Sequence, residues 1–329
     1  MTRYKKTHIF QTAMLMCMVV MGLALSTVTT SCNRSDNIEY DSDTLVDGRD
    51  KRFLYSFFLK ENEDIDKPSW ADGQAVGAFL TEEFMGLGNA YRNDPAQYNN
   101  LYHMYVAGVW QSTPPAIRLY DSNAVIYAYY PFVPDVNPKA VAMSVKAQTD
   151  YMYGTHQAPQ TAVCEGKNVA YIQMKHAMSM LDFRFRKEDF KKDVVISAVM
   201  LNKVHRTDRD DKYDQLPLAA TLDIATGNVT QTEWGQIRFD GFEYLLTDDF
   251  NDKNRLLRYV FPYDIIYDEI ELTLCINGEY YTTTLDWQND WNRGFRCVYN
   301  IVFTGRNIYI DSVEIKPWKN VDIDVTIRD

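Results

Sequence analysis

The residues that could perform chemistry are scattered along the chain, and their spacing matches none of the common catalytic patterns. A serine hydrolase of the α/β type needs a Gly-x-Ser-x-Gly turn, and a zinc protease needs a His-Glu-x-x-His helix; the chain contains neither motif. Gly86-Leu87-Gly88 lacks the third glycine of a dinucleotide-binding turn, so we interpret it as an ordinary turn. The sequence predicts no catalytic residue, no cofactor and no enzymatic activity.

Two groups of side chains have the composition of metal ligands without the required spacing. The segment Asp208–Asp214 is rich in aspartate, but it lacks the central glycine and the distal glutamate of a calcium loop. His176 has no Cys, Asp or Glu at ligand spacing. We therefore predict a solvated acidic loop at the first position, a hydrogen-bonded structural histidine at the second, and no metal site.

The cysteines divide into one candidate for modification and three candidates for the core. Cys32 follows a short apolar stretch, whereas Cys164, Cys275 and Cys297 lie far along the chain, and three is an odd number for a disulfide framework. Cys275 and Cys297 each fall inside a predicted strand. Unpaired core cysteines are the favoured interpretation, and pairing of Cys275 with Cys297 stays open.

The N-terminus has the features of a secretory signal peptide over residues 1–31. Arg3, Lys5 and Lys6 precede an apolar stretch that is too short for a first choice as a spanning helix. Small residues then lead to Cys32, as in a bacterial lipobox, although Thr29 stands where leucine is usual. Lipidation at Cys32 would anchor the chain to the outer membrane. Ordinary signal cleavage near an incidental cysteine is the alternative.

Length and charge limit the remaining possibilities. The chain has 329 residues and a net charge of −11, which argues against binding to nucleic acid. After a lipidated acidic tether over residues 32–52, the remaining length suits two domains. The polar stretch Arg186–Asp193 is the best mark of a boundary, which predicts one domain at residues 53–188 and another at residues 189–329.

The apolar residues of both halves recur with period two, which predicts strands and an all-β fold. The clearest element is a hairpin over Glu269–Leu285, in which Asn277-Gly278 can supply the two positive φ angles of a type I′ turn. The loops Met85–Asn100 and Thr207–Gln215 are long enough to carry binding residues. The predicted strands are Leu54–Lys60, Gln74–Leu80, Leu101–Gln111, Ala124–Tyr130, Val169–Met174, Met180–Arg186, Val194–Asn202, Ala219–Ile224, Leu256–Phe261, Glu269–Trp287, Phe295–Phe303 and Asn307–Ile315.

Several local patterns, taken in order, resemble the fimbrillin family, the lipoprotein precursors of type V pili and their relatives. No single pattern is diagnostic, but their order and spacing are similar to those of the family. The resemblance implies two tandem transthyretin-like (Ig-like) β-sandwich domains and adds neither a cofactor nor a catalytic residue. The segments that carry it are Ser69–Phe79, Ala124–Phe132, Gln148–Gly154, Val169–Phe183, Trp291–Phe303 and Ile308–Trp318.

The resemblance also implies a route of assembly. Family subunits are cut after a basic residue near the N-terminus, and Arg49 and Arg52 occupy plausible positions, unless they are merely solvated charges of the tether. A neighbouring subunit then adds a strand to the exposed groove. Apolar and polar residues alternate strictly over the segment Val321–Ile327. This segment could be that donor strand, the last strand of its own domain, or a protected edge. Its apolar face comprises Val321, Ile323, Val325 and Ile327.

The leading hypothesis is a fimbrillin-like surface lipoprotein that acts as a structural or adhesive pilus subunit and has other subunits of this type as partners. Its expected location is the outer membrane, the cell surface or the fimbrium. The alternative is a surface lipoprotein that does not polymerise and that binds a glycan or host protein through its many aromatic residues. An envelope hydrolase on a β scaffold is a third and weaker hypothesis.

Overall fold

The structure is a computed structural model, and it describes residues 45–46, 49–50, 53–54, 56–61, 70–113, 117–118, 124–156, 169–204, 215–263, 270–285 and 291–318. Several predictions fall outside these residues. They concern the signal peptide at residues 1–31, Cys32, Arg52, Cys164, the acidic segment 208–214 and the segment 321–327.

Nearly all the regular secondary structure of the described residues is strand, which confirms the all-β prediction. One short α-helix, α1 (Pro95–Tyr98), and 3-10 turns at Tyr91–Asn93, Val145–Ala147 and Asp252–Asn254 interrupt the strands. The strands are β1 (Leu45–Val46), β2 (Arg49–Asp50), β3 (Phe53–Leu54), β4 (Ser56–Glu61), β5 (Ala75–Glu82), β6 (Leu101–Val106), β7 (Val109–Thr113), β8 (Ile117–Arg118), β9 (Ala124–Tyr130), β10 (Val141–Ser144), β11 (Met152–His156), β12 (Val169–His176), β13 (Ser179–Lys187), β14 (Val195–Lys203), β15 (Leu216–Leu222), β16 (Val229–Gly235), β17 (Ile237–Phe239), β18 (Tyr244–Leu245), β19 (Arg255–Val260), β20 (Ile270–Ile276), β21 (Glu279–Leu285), β22 (Phe295–Phe303) and β23 (Ile308–Pro317).

The first large sheet has seven strands in the order β4-β12-β11-β9-β5-β6-β7. Strand β5 is buried on both faces, because Phe79 enters one hydrophobic cluster while Val76 and Leu80 enter a second. Alternate side chains of a strand point to opposite faces, so this sheet is covered on both sides. Strand β4 pairs with β12 and also approaches β7, the strand at the far end of the same sheet.

The second half builds two sheets that share one core. A four-stranded sheet has the order β19-β13-β22-β23, and a five-stranded sheet has the order β17-β14-β20-β21, with β18 also paired to β14. Phe183 from the four-stranded sheet and Leu272 from the five-stranded sheet belong to the same hydrophobic cluster. The predicted hairpin is confirmed as β20 and β21, with Asn277 and Gly278 at φ 50° and 83°.

A three-stranded sheet, β10-β15-β16, joins the two halves, since β10 precedes residue 188 and β15 follows it. Strand β13 also precedes residue 188, yet its hydrogen-bonded neighbours are β19 and β22. The count of two domains and the boundary at residue 188 stay predictions.

Candidate functional site

The first candidate site is the slot that β4 occupies in the seven-stranded sheet. Strand β4 runs parallel to β12, with six residue pairs from Ser56–Val169 to Glu61–Met174. Strand β4 also approaches β7 at the other end of the sheet, but the strand order does not pair the two. Parallel pairing between strands is slightly less stable per residue than antiparallel pairing. In this slot, β12 is the hydrogen-bonded neighbour of β4.

The predicted processing residues lie just before this slot. Arg49 belongs to β2, which pairs with β1 in a two-stranded sheet, and Arg52 lies outside the described residues, four positions before β4 begins. Cleavage after either arginine would leave all of β4 attached to the rest of the chain. A cut there would not by itself empty the slot, and β4 would still have to be displaced.

The second candidate site is the point from which the C-terminal segment departs, which we call the Trp318 seat. The Trp318 side chain is 3% exposed, and its backbone N–H donates to the Gly294 carbonyl at 2.7 Å. Its ring stacks on His176 at 3.9 Å between centroids and on Tyr259 at 5.2 Å. These contacts hold the root of segment 319–329 against β12 and β19.

His176 is held in the Trp318 seat by a carboxylate. Its Nδ1 lies 2.9 Å from Asp150 Oδ2, and its side chain is buried. Burial raises the pKa of the Asp150 carboxyl, and the hydrogen bond and charge of His176 oppose that rise. The prediction of a hydrogen-bonded structural histidine is confirmed, although its partner lies 26 residues earlier in the chain. That separation explains why the motif gave no sign of the pair.

The edge of β19 next to the Trp318 seat is capped by a side chain. The Gln148 amide donates to the Tyr259 carbonyl at 3.1 Å and accepts from the Tyr259 N–H at 3.1 Å. This pair of bonds imitates a neighbouring strand, so it satisfies backbone groups that would otherwise be open to another chain. Gln148 itself has a positive φ of 48°, just after a 3-10 turn. A segment within the family-like motif thus protects this edge.

A third candidate site is a buried charged network in the four-stranded sheet. The Asp182 carboxylate has no exposed surface, and it accepts hydrogen bonds from Arg184, Arg255 and Arg296. These side chains come from three adjacent strands, β13, β19 and β22, so the network crosslinks them. We refer to the three arginines around Asp182 as the arginine cluster. Sequence analysis did not single out any of its members.

The predicted binding loop Met85–Asn100 has its own small core and one exposed tip. Tyr91 and Tyr98 are buried against each other, with ring centroids 5.1 Å apart. Phe84, directly before the loop, is 96% exposed and has a positive φ of 73°, and Met85 is 52% exposed. Phe84 is the most exposed large hydrophobic residue of the described chain. The tip formed by Phe84 and Met85 is therefore a candidate contact for a ligand.

The remaining predictions have simple outcomes. Cys275 lies on β20 and Cys297 on β22, in different sheets; both are buried and they are not joined to each other. The Gly86 and Gly88 positions form turns with positive φ, as predicted. Among the described residues, no cluster of three side chains could hold a metal ion. None of the helices in that part of the chain is long and apolar enough to cross a membrane.

Comparisons with known proteins agree with this architecture. The family described as fimbrillin-like matches residues 63–318. A protein of Bacteroides ovatus to which cell adhesion is ascribed has a crystal structure similar to this one, with a TM-score of 0.58, 17% sequence identity, and coverage of 81% of this chain and 98% of that one. A second such protein, from Bacteroides uniformis, gives a TM-score of 0.55 at 17% identity, covering 82% and 100%. At this identity the likeness concerns the fold. No curated protein matches the chain.

Proposed function

The chain belongs to the fimbrillin-like family, and on that premise we propose that it is a cell-surface fimbrial subunit with a structural or adhesive role. The observation that carries the proposal is the slot of the seven-stranded sheet. A strand that lies at the N-terminal end of the described core fills this slot by parallel pairing with β12. Such a site suits assembly by strand exchange between copies or related subunits.

The proposed assembly step is the replacement of β4 by a strand from a neighbouring subunit. The donor is the segment Val321–Ile327, whose alternation places Val321, Ile323, Val325 and Ile327 on one face. Cleavage after Arg49 or Arg52 separates β4 from the tether, so that β4 can leave the slot. The Trp318 seat fixes the root of the donor on the subunit that supplies it.

The proposal includes export and anchoring through the N-terminus. Residues 1–31 act as the signal, and Cys32 carries the lipid that attaches the unprocessed chain to the outer membrane. Cleavage in the acidic tether then releases the subunit into the fimbrium. Cys32→Ala should leave the protein without a lipid, which the intact mass of the envelope-derived protein would show.

The experiment that tests assembly uses the full chain, incubated with and without a trypsin-like protease. We expect a ladder of multimers on a non-denaturing gel after cleavage, with a new N-terminus at Asp50 or Phe53. Replacing both Arg49 and Arg52 by glutamine should prevent the cut and the ladder. Cleavage without multimers at high concentration would exclude self-assembly, and a mixture with other fimbrial subunits would then test hetero-assembly.

A second candidate function, binding of a glycan or host protein without polymerisation, is favoured by the exposed tip at Phe84 and Met85. A near-fully exposed phenylalanine has no stabilising role of its own and suits a contact with a partner. Phe84→Ser should abolish adhesion of cells that display the protein and leave multimer formation unchanged. Unchanged adhesion would remove the support for this function.

A further inference from the structure

The arginine cluster lies on the face of the four-stranded sheet that points away from the core. Along β13, Leu181 and Phe183 enter the hydrophobic core, so Asp182 and Arg184 lie on the opposite face. On one neighbouring strand, β19, Arg255 pairs in register with Arg184. On the other, β22, Arg296 pairs with Met180, two residues before Asp182. The strand register thus gathers three arginines around one carboxylate.

The charges of this cluster do not balance. Arg255 Nε donates to Asp182 Oδ1 at 2.7 Å, while Arg296 Nε at 2.9 Å and Arg184 Nε at 3.3 Å donate to Oδ2. The side chains of Arg255 and Arg296 are only 13% and 12% exposed, and Arg184 is 36% exposed. Among the described residues, Asp182 is the one buried carboxylate that these arginines contact. Asp252 beside Arg255 is 93% exposed. Glu314, whose charge interacts with Arg184 and Arg296, is 52% exposed. The buried part of the cluster therefore has an excess of positive charge, and buried unpaired charge is costly.

One donor of the cluster lacks an acceptor. The Nη2 group of Arg255 is buried and has no hydrogen-bond partner among the described residues. Of the nearby acids, Asp252 is 4.0 Å from Nη1 and 93% exposed, and Glu314 is paired with Lys316. A buried donor without a partner costs more than a typical hydrogen bond contributes. An added oxyanion would satisfy the donor and reduce the excess charge at once.

We propose that the arginine cluster is an oxyanion site that takes a carboxylate. Guanidinium groups bind carboxylates through paired, charge-assisted hydrogen bonds, and the partly exposed Arg184 provides the approach to the buried members. The chain as a whole has a net charge of −11, so the arginine cluster is a local positive site on a negatively charged protein.

Two sources could supply the carboxylate. One is an acidic saccharide from the surroundings, and the other is the chain itself, through Asp322 and Asp324. Lys316 pairs in register with Arg296, and Trp318 follows two residues later. Asp322 is four residues beyond Trp318, which allows a reach of about 13 Å at about 3.3 Å per residue. The chemistry at the arginines is the same in both cases.

The test titrates the full-length protein with glucuronate and uses glucose as the neutral control. Binding is measured by calorimetry, and the folded state of each variant is checked by its thermal midpoint. The informative variant is Arg255→Lys, which keeps the charge and removes Nη2. The matched control is Arg238→Lys on β17, an arginine that is 44% exposed and pairs with Asp240.

We expect glucuronate, and not glucose, to bind, with affinity at least about tenfold weaker in R255K and unchanged in R238K; tenfold corresponds to about 1.4 kcal/mol. If the chain's own aspartates occupy the site, the double variant D322N/D324N should bind glucuronate at least about tenfold more tightly than the wild type. If R255K fails to fold, Arg184→Lys replaces it.

Two results would overturn the oxyanion site. One is an absence of glucuronate binding in both the wild type and D322N/D324N. The other is equal binding by the wild type and a folded R255K or R184K variant. Neither result bears on assembly through the slot of β4, which involves a different sheet, so the proposed function would stand or fall separately.

Discussion

Two strand pairs of the described sheets are parallel, β4 with β12 and β13 with β22, and they differ in how firmly they are held. The first has six residue pairs, and β4 lies at the end of its sheet. The second has eight residue pairs in the middle of its sheet, where Asp182 on β13 binds Arg296 on β22. The same pairing geometry thus occurs at the end of one sheet and in the middle of the other, and we propose that only the first pair exchanges.

On the proposed route of assembly, the two halves of the chain have different roles. The half that contains β12 would offer a place for an incoming strand. The half that contains β22 continues into β23 and Trp318, whose ring stacks on Tyr259 of β19 and also on His176 of β12. Both halves therefore hold the root of the proposed donor segment. A subunit that assembles by strand exchange needs one replaceable strand and one firmly attached donor.

The largest effect is expected from proline in the two parallel pairs. Proline removes a backbone N–H and is not tolerated inside a central strand. Val298→Pro in β22 should therefore prevent folding, whereas Leu59→Pro in β4 should cost about 1 kcal/mol, as for one lost hydrogen bond. Urea unfolding followed by circular dichroism measures both. Similar losses of unfolding free energy at the two positions would contradict the proposed difference between the two parallel strand pairs.

Removing the carboxylate of Asp182 should have the next largest effect. Asp182→Ala leaves three arginines without their common partner, and breaking a buried ion pair in this way costs about 3 to 5 kcal/mol. Asp240→Ala is the control, because Asp240 is 59% exposed in its pair with Arg238 and should contribute about 1 kcal/mol or less. Equal urea midpoints for the two variants would show that the network does not hold the central pair together.

Removing the Trp318 ring should lower the free energy of unfolding slightly less than Asp182→Ala does. Replacing a buried tryptophan by alanine costs about 3 to 5 kcal/mol, and we expect about 3 for Trp318→Ala. The control is Trp234→Ala on β16, which is 45% exposed and should change stability by about 0.5 kcal/mol or less. Unfolding in urea distinguishes the two. A loss in W318A no greater than in W234A would mean that the donor root is not anchored by this ring.

Acid should weaken the seven-stranded sheet selectively. Burial lowers the pKa of His103 on β6 from 6.5 to about 3, so the unfolded chain binds a proton that the folded chain does not. The stability that depends on neutral His103 is complete above pH 6.5 and is lost as the pH falls toward 3. Between pH 7 and pH 5 the loss should be about 2 kcal/mol.

The variant that tests the acid effect is His103→Gln, whose side chain does not titrate. Unfolding free energies of the wild type and the variant are measured at pH 7 and pH 5, and the difference between their slopes isolates His103. The variant should lose about 2 kcal/mol less than the wild type over this range. Parallel slopes would show that His103 is not kept neutral by burial.

The local parts of this architecture were predictable from sequence. Period-two patterns identified most strands, and Asn277-Gly278 identified the hairpin, because both signals depend on neighbours along the chain. Eight strands were not predicted, and most of them are short or carry mixed side chains: β1, β2, β8, β10, β11, β16, β17 and β18. The predicted loop after Met85 contains α1 and a 3-10 turn, which its length did not reveal.

The candidate sites were less predictable, because each depends on contacts between distant segments. Asp182 and Arg296 are 114 residues apart, and Gln148 and Tyr259 are 111 apart. The alternation of Leu181, Asp182 and Phe183 did hold a signal, since a lone aspartate between core residues must lie on the opposite face. What that aspartate binds depends on strand order, which periodicity does not specify.

On the proposed route of assembly, β4 exchanges for a strand from another subunit. To test this exchange, the protease-treated full chain is incubated with a labelled peptide of the sequence Val321–Ile327, and binding is measured by fluorescence anisotropy. We predict that the peptide binds after cleavage, binds more tightly to L59P, and blocks the multimer ladder. A peptide that neither binds the cleaved protein nor affects its assembly would contradict strand exchange at β12.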